Sequence, residues 1–137
     1  MPDMAAKLEI LETLARTNRA ADEKNVSETA KYYTDDGFIE GDMQASAGSF
    51  ESELKQIYDN EPGLKRHVGT NHIFTDNGDT VLVNSLLTVL DGEEQPSVVA
   101  TADIEDELTH SDGMWKIVRH RVEMDPATKK MMAEQQG

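Results

Sequence analysis

The stretch Arg66-His67-Val68-Gly69-Thr70-Asn71 holds the residue types best suited to chemistry in this chain. It follows an expected helix and opens the first long expected strand. A histidine there points into the space between sheet and helices. Imidazole titrates near neutrality, so it can take a proton from carbon and give it back. Asp22, near the end of the first expected helix, is the carboxylate able to meet it. A carboxylate bonded to one ring nitrogen fixes the tautomer and stabilises the imidazolium formed when the other nitrogen is protonated. A plainer reading stands beside this one. Asp22 then caps the next helix or is solvated, and His67 is a strand residue with a backbone partner.

Four further residues are candidates to contact a ligand. His120, in the last expected strand, reads as a second cavity histidine with Asp103 or Glu105 across from it; the alternative is a charge-paired outer face. Asn71 shares the parity of His67, so its amide either donates to a ligand oxygen or sits at a ladder edge. Tyr32 and Tyr33 are candidate pocket residues, one of them expected to be simple core. His72 has the opposite parity and is expected to face outward, and His110 to sit exposed in a turn. No His-x-x-x-His spacing supports a metal site. There is no Gly-x-Ser-x-Gly elbow and no phosphate loop.

These residues need elements to position them. Asp3 to Ala21 reads as a helix capped by Asp3, with Leu8, Leu11, Leu14 and Ala15 as its apolar stripe and Ile10 widening it. Asn25-Val26-Ser27-Glu28 opens a second short helix, with Asn25 as cap and Glu28 reaching back. Thr34 to Gly37 is expected to stop it, with Gly37 left-handed. Phe38 to Gly41 is a short strand or extended arm, followed by a loop. Ser49 starts a third helix whose Phe50, Leu54, Ile57 and Tyr58 form one face. Asn60-Glu61-Pro62-Gly63 ends it.

The pattern then changes to strands. Arg66 to Thr75, Thr80 to Leu90, Val98 to Thr109 and Met114 to Val122 or Met124 are expected, joined by turns at Asp76–Asp79, Asp91–Pro96 and His110–Gly113. Thr80 to Leu90 is apolar on both faces, so it should be central and covered on both sides. An ordinary antiparallel register across the last turn groups Ile104, Asp106 and Leu108 with Trp115, Ile117, Arg119 and Arg121. The other face then carries Asp103, Glu105 and Glu107 with Lys116, Val118 and His120. Residues from Pro126 onward read as a tail helix or a frayed end.

Helices followed by long antiparallel strands give an α+β domain. A strongly curved sheet around the helices leaves a cone-shaped cavity, a usual ligand site. The 137 residues fit one domain, 1–137, with a core of its own. Without cysteine there are no disulfides and no thiolate metal sites, which fits a cytoplasmic setting. No signal peptide and no membrane span are expected. The net charge of −14 argues against nucleic acid and anionic membranes as partners.

The order of elements resembles the nuclear transport factor 2-like (cystatin-like) superfamily, and most of all its SnoaL-like branch, over roughly residues 5 to 125. The anchors are Ala21-Asp22-Glu23-Lys24-Asn25, Tyr32-Tyr33-Thr34-Asp35-Asp36-Gly37, Arg66-His67-Val68-Gly69-Thr70-Asn71 and Asp112-Gly113-Met114-Trp115-Lys116-Ile117. The His-x-Gly-Thr-Asn run is similar to that of the scytalone dehydratase and lindane dehydrochlorinase group. The resemblance implies a conical α+β barrel of mixed or antiparallel sheet, an apolar pocket, and proton abstraction without a cofactor. It implies His67 as general base and Asp22 as the residue that holds it. The dehydrochlorinase's arginine five residues after the last-strand tryptophan is His120 here. Its helix lysine falls at Arg16-Thr17. Only the His–Asp pair therefore carries over.

Two functions follow as expectations. The first is a lyase or isomerase acting on a small apolar or polycyclic molecule. The second is a non-catalytic ligand-binding or dimerisation module. Self-association as a dimer or trimer is expected in either case, because a curved sheet leaves one broad face.

Overall fold

The computed structural model describes residues 2–136. Its elements run α1 (Met4–Asp22), α2 (Val26–Ala30), β1 (Tyr33–Gly41), a 3-10 turn (Ala47–Ser49), α3 (Phe50–Asp59), β2 (Lys65–Asn77), β3 (Thr80–Asp91), β4 (Val98–Ser111), β5 (Met114–Met124) and α4 (Pro126–Gln136). The strands make one five-stranded sheet in the order β1-β5-β4-β3-β2. β2 to β5 are antiparallel neighbours, and β1 joins β5 in parallel. The result is an α+β domain with a mixed sheet. Among the described residues, no helix is long and apolar enough to cross a membrane.

Helix starts follow their caps. Asp3 accepts from the Ala6 N–H at 2.8 Å, and Asn25 from the Glu28 N–H at 3.0 Å. Asn25, not Asp22, therefore caps α2, which leaves Asp22 free for another task. Glu28 does not reach back to the cap; it accepts from the Tyr32 hydroxyl. The stripe of α1 is turned from the expected one. Ile10, Thr13, Leu14 and Ala20 are buried, whereas Leu8 is 62% exposed and Ala15 lies on the surface. The α3 face is as expected: Leu54 and Tyr58 are buried, and Phe50 and Ile57 pack against the core.

β1 begins earlier than the sequence suggests. Tyr33 is already in the strand, and Gly37 lies within it rather than ending a helix. Within β1 the positive-φ glycine is Gly41, at φ +100°, where a Cβ would clash with the Val122 carbonyl oxygen. β3 is not the central strand: β4 is, and Leu86 on the outer face of β3 is 42% exposed. Arg119 ties three strands on that face, reaching Glu105 at 2.6 Å, Glu40 at 3.3 Å and Glu107 at 3.6 Å.

Two bulges decide which side chains face inward. In β2 the register shifts between Thr70 and Ile73, and Asn71 takes φ +58°. In β5 Leu108 pairs with Ile117 but Glu107 pairs with Arg119, so Val118 is the extra residue. An extra residue reverses the alternation beyond it. The expected grouping of Arg119 and Arg121 with Asp106 is therefore wrong. Arg119 and Arg121 pair with Glu107 and Glu105, and His120 pairs with Asp106.

The core lies between the concave sheet face and the helices, built from Ile10, Leu14, Tyr33, Leu54, Tyr58, Val83, Ile104, Leu108 and Ile117 among others. The segment after β5 is helical. Thr128 is buried and accepts from the Thr101 N–H at 2.9 Å, while Asp125 accepts from the Thr101 hydroxyl at 2.7 Å. This pins α4 across the end of β4. Gly137 lies outside the described residues.

Candidate active site

A cavity of about 970 Å³ opens between the sheet and the helices. That is the upper end of the range for small-molecule sites. Its walls are mostly apolar, with Ile57 from α3, Leu87 and Val89 from β3, Ile104 from β4, Val122 from β5 and Met131 from α4. Titratable groups reach it from several elements: Tyr33 and Asp42, Tyr58 and Glu61, Lys65, His67 and His72, Asp106, and His120.

His67 sits at the start of β2, beside the end of α1. Its ring Nδ1 lies 2.7 Å from Asp22 Oδ1, and the same oxygen accepts from the His67 backbone N–H at 2.7 Å. The Asp22 side chain is 5% exposed and that of His67 12%. Arg66 Nη1 stands 3.7 Å from the other carboxylate oxygen. Asp22 does not itself line the cavity; it stands behind the ring. With Nδ1 committed to the carboxylate, Nε2 is the nitrogen able to address a ligand.

A second pair lies on the same sheet face. His120 Nδ1 is 2.6 Å from Asp106 Oδ1, and the Asp106 side chain is 3% exposed. Burial alone would lower the His120 pKa. The charge and hydrogen bond of Asp106 outweigh it and hold the imidazole above its ordinary value. His120 is thus a cavity residue, but its partner is Asp106, not Asp103 or Glu105. Asp103 instead accepts from Asn84 on the outer face at 2.8 Å.

The β2 bulge moves two other candidates. His72 turns inward and lines the cavity, against the outward placement expected of it. Burial holds its pKa below the ordinary value, so it is neutral at pH 7. Asn71 is the bulged residue itself: it is exposed and is not among the cavity-lining residues. Tyr32 is buried but also does not line the cavity; its hydroxyl goes to Glu28 at 3.1 Å. Tyr33 does line it, and burial pushes its phenol well above the usual range, so it stays neutral. His110 belongs to β4 rather than to a turn, with its ring 5.3 Å from that of Trp115.

Sequence reading missed three polar groups here. Asp106 is expected opposite Arg119 and Arg121, whereas it pairs with His120. Tyr58 lines the cavity and bonds Thr29 at 2.8 Å, and burial pushes its phenol up to about 12. Thr29 spends its own hydrogen on the Asn25 carbonyl, so the Tyr58 hydroxyl is the donor in that bond. Glu61, in the loop after α3, lines the cavity near His67. Among the described residues its buried Oε2 has no hydrogen-bond partner, and burial pushes its carboxyl up against the opposing charges of His67, Lys24 and Lys65. Lys24, at φ +56°, donates to the Glu61 carbonyl and holds the loop against the end of α1. Among the described residues, no three His, Asp or Glu side chains are grouped to hold a metal ion.

This architecture is that of the SnoaL-like proteins. The chain belongs to the SnoaL-like domain family, whose model matches residues 2–121. Among solved structures it is similar to a protein of unknown function with a cystatin-like fold from Nostoc punctiforme, at 28% identity and TM-score 0.79, covering 91% of this chain and 95% of that one. A Catenulispora acidiphila protein solved in complex with S-DNPA is 25% identical with TM-score 0.81, covering 93% and 99%. A protein provisionally named a scytalone dehydratase, from Novosphingobium aromaticivorans, shares the fold at 15% identity and TM-score 0.76, covering 89% and 85%. No match was found among curated proteins.

Proposed function

We propose that this protein is a cofactor-independent lyase or isomerase that removes a proton from a carbon of a small apolar or polycyclic molecule, with His67 as general base. The observation that carries the reading is the placement of Asp22 behind His67. Oδ1 meets Nδ1 at 2.7 Å and leaves Nε2 to the cavity. In the step, Nε2 takes the carbon-bound proton and the C–H electron pair moves into a new double bond. Asp22 stabilises the imidazolium, which later gives the proton to another atom of the substrate or to water. Apolar walls keep water from competing for the base. The 25%-identical Catenulispora protein was solved in complex with S-DNPA, and that likeness supports ligand binding by this chain.

The test uses 5-nitro-1,2-benzisoxazole, which needs only an oriented base to lose its C3 proton and open to a coloured phenolate. Turnover above the buffer rate is expected, falling at least a hundredfold in His67→Gln and at least tenfold in Asp22→Asn. Turnover that ignores His67, or none, favours the alternative of a ligand-binding module. The outer sheet face supports self-association in either case: Val68 is 40%, Leu86 42% and Ile73 64% exposed there.

A further inference from the structure

We infer that His120, held by Asp106, is a second proton-transfer residue of the same cavity, donating from Nε2 to a substrate oxygen while His67 takes the proton from carbon. The inference rests on the role given to His67 above and adds a partner to it. Asp106 is 2% exposed, and its Oδ1 lies 2.6 Å from His120 Nδ1. A buried carboxylate is stable as an anion only beside a cation or strong donors, so it favours the imidazolium. Nδ1 is spent on Asp106, which leaves Nε2 as the donor. Both residues line the cavity that His67 lines.

His72 lines the same cavity. A Cβ on Gly69, two residues beyond His67, would lie 3.7 Å from His72 Nε2, and the His72 ring feels the charge of Asp106. The titratable groups sharing the cavity with His120 are Tyr33 and Asp42 from β1 and its end, Tyr58 and Glu61 from α3 and the loop after it, Lys65, His67 and His72 from β2, and Asp106 from β4. Tyr33 and His72 are neutral at pH 7, Asp42 is exposed, and among the described residues only Asp106 hydrogen-bonds the ring. Asp106 therefore sets its charge.

The pairing defines a substrate class: a molecule with an acidic C–H at one end and a carbonyl, hydroxyl or ether oxygen at the other. With a hydroxyl leaving group, the C–H bond breaks toward His67 Nε2 and its electrons form the C=C bond. The C–O bond breaks, and the oxygen takes the Nε2 proton of His120 and leaves as water. His67 ends protonated and His120 neutral, and exchange with solvent resets both. With a carbonyl, the same two transfers give the enol.

Two benzisoxazoles separate this role from that of the base. The 5-nitro compound releases a weakly basic phenolate and gains little from an acid. Unsubstituted 1,2-benzisoxazole releases the more basic 2-cyanophenolate and gains more. His120→Gln is expected to slow the unsubstituted compound at least tenfold more than the nitro compound, whereas His67→Gln slows both alike. 2-Cyanophenol itself needs no turnover: at least tenfold weaker binding is expected in His120→Gln, and a smaller loss in His67→Gln. Equal slowing of both compounds by His120→Gln overturns the inference and leaves the His67 base standing. So does 2-cyanophenol binding that is absent or indifferent to His120. Turnover indifferent to His67 together with His120-dependent phenol binding sinks the base and spares the oxygen contact. Circular dichroism on each variant excludes unfolding as the cause.

Discussion

Asp22 Oδ1 receives two hydrogen bonds from one residue, the backbone N–H and the ring Nδ1 of His67, both at 2.7 Å. The first fixes where β2 starts relative to the end of α1. The second fixes how the ring is turned. One carboxylate oxygen thus couples a fold contact to a site contact. Removing it should cost stability as well as activity. Asp22→Ala leaves two buried donors unpaired and is expected to destabilise the protein by about 3 kcal/mol; Asp22→Asn, which can still accept one bond, by about 1 kcal/mol. Urea denaturation of the two variants checks this order.

His120 makes stability depend on pH. Its folded pKa is raised above the ordinary histidine value by Asp106, against the pull of burial. The folded state therefore binds its proton more tightly than the unfolded chain does. That contribution is fully present below about 6.5, the unfolded value. It is lost as pH rises through the folded pKa. The advantage of the native protein over His120→Gln should be larger at pH 6 than at pH 9, read by denaturation at both. An advantage that grew with pH would reverse the sign of the Asp106 interaction.

Glu61 runs the other way. Its carboxyl is pushed up by burial, and Oε2 has no hydrogen-bond partner among the described residues. The cost of ionising it is present above the folded pKa and absent below the unfolded one. Glu61→Gln should raise stability at pH 7 by roughly 1 kcal/mol and make no difference at pH 4. Thermal melts at the two values decide it.

Much of this site can be traced to residue type, and what cannot has a common cause. The caps Asp3 and Asn25, the α3 face and the hairpin turn after β2 follow from short-range rules, and the structure agrees with them. The inward set of β2 and β5 does not, because alternation counts positions and a bulge adds one. Asn71 gave a hint, since asparagine tolerates the left-handed region that a bulge can demand. Val118 gave none by itself. The charges did: Arg119 and Arg121 opposite Glu107 and Glu105 make a better cross-strand set than the simple register. The pairing of His120 with Asp106 is hidden by that miscount alone. The parallel pairing of β1 was out of reach for a different reason: it depends on a partner more than 70 residues away.

Gly41 marks the end of that parallel pairing. At φ +100°, with the Val122 carbonyl oxygen where a Cβ would go, it admits no side chain without moving the backbone. Gly41→Ala is expected to cost about 3 kcal/mol or more. It should also loosen the neighbouring Asp42 N–H bond to Val122, which is 2.8 Å long. Faster amide exchange at Asp42, with the end of β2 unchanged, is the signature to measure.

The central claim is that His67 presents a bare Nε2 to the cavity because Asp22 holds the proton on Nδ1. Nitrogen-15 NMR of the His67 ring reads this with no substrate in hand. In the neutral form the proton should sit on Nδ1, with Nε2 unprotonated, and Asp22→Asn should disturb that tautomer. A His67 that keeps its neutral proton on Nε2, or whose tautomer ignores Asp22, would contradict the base role and with it the proposed reaction.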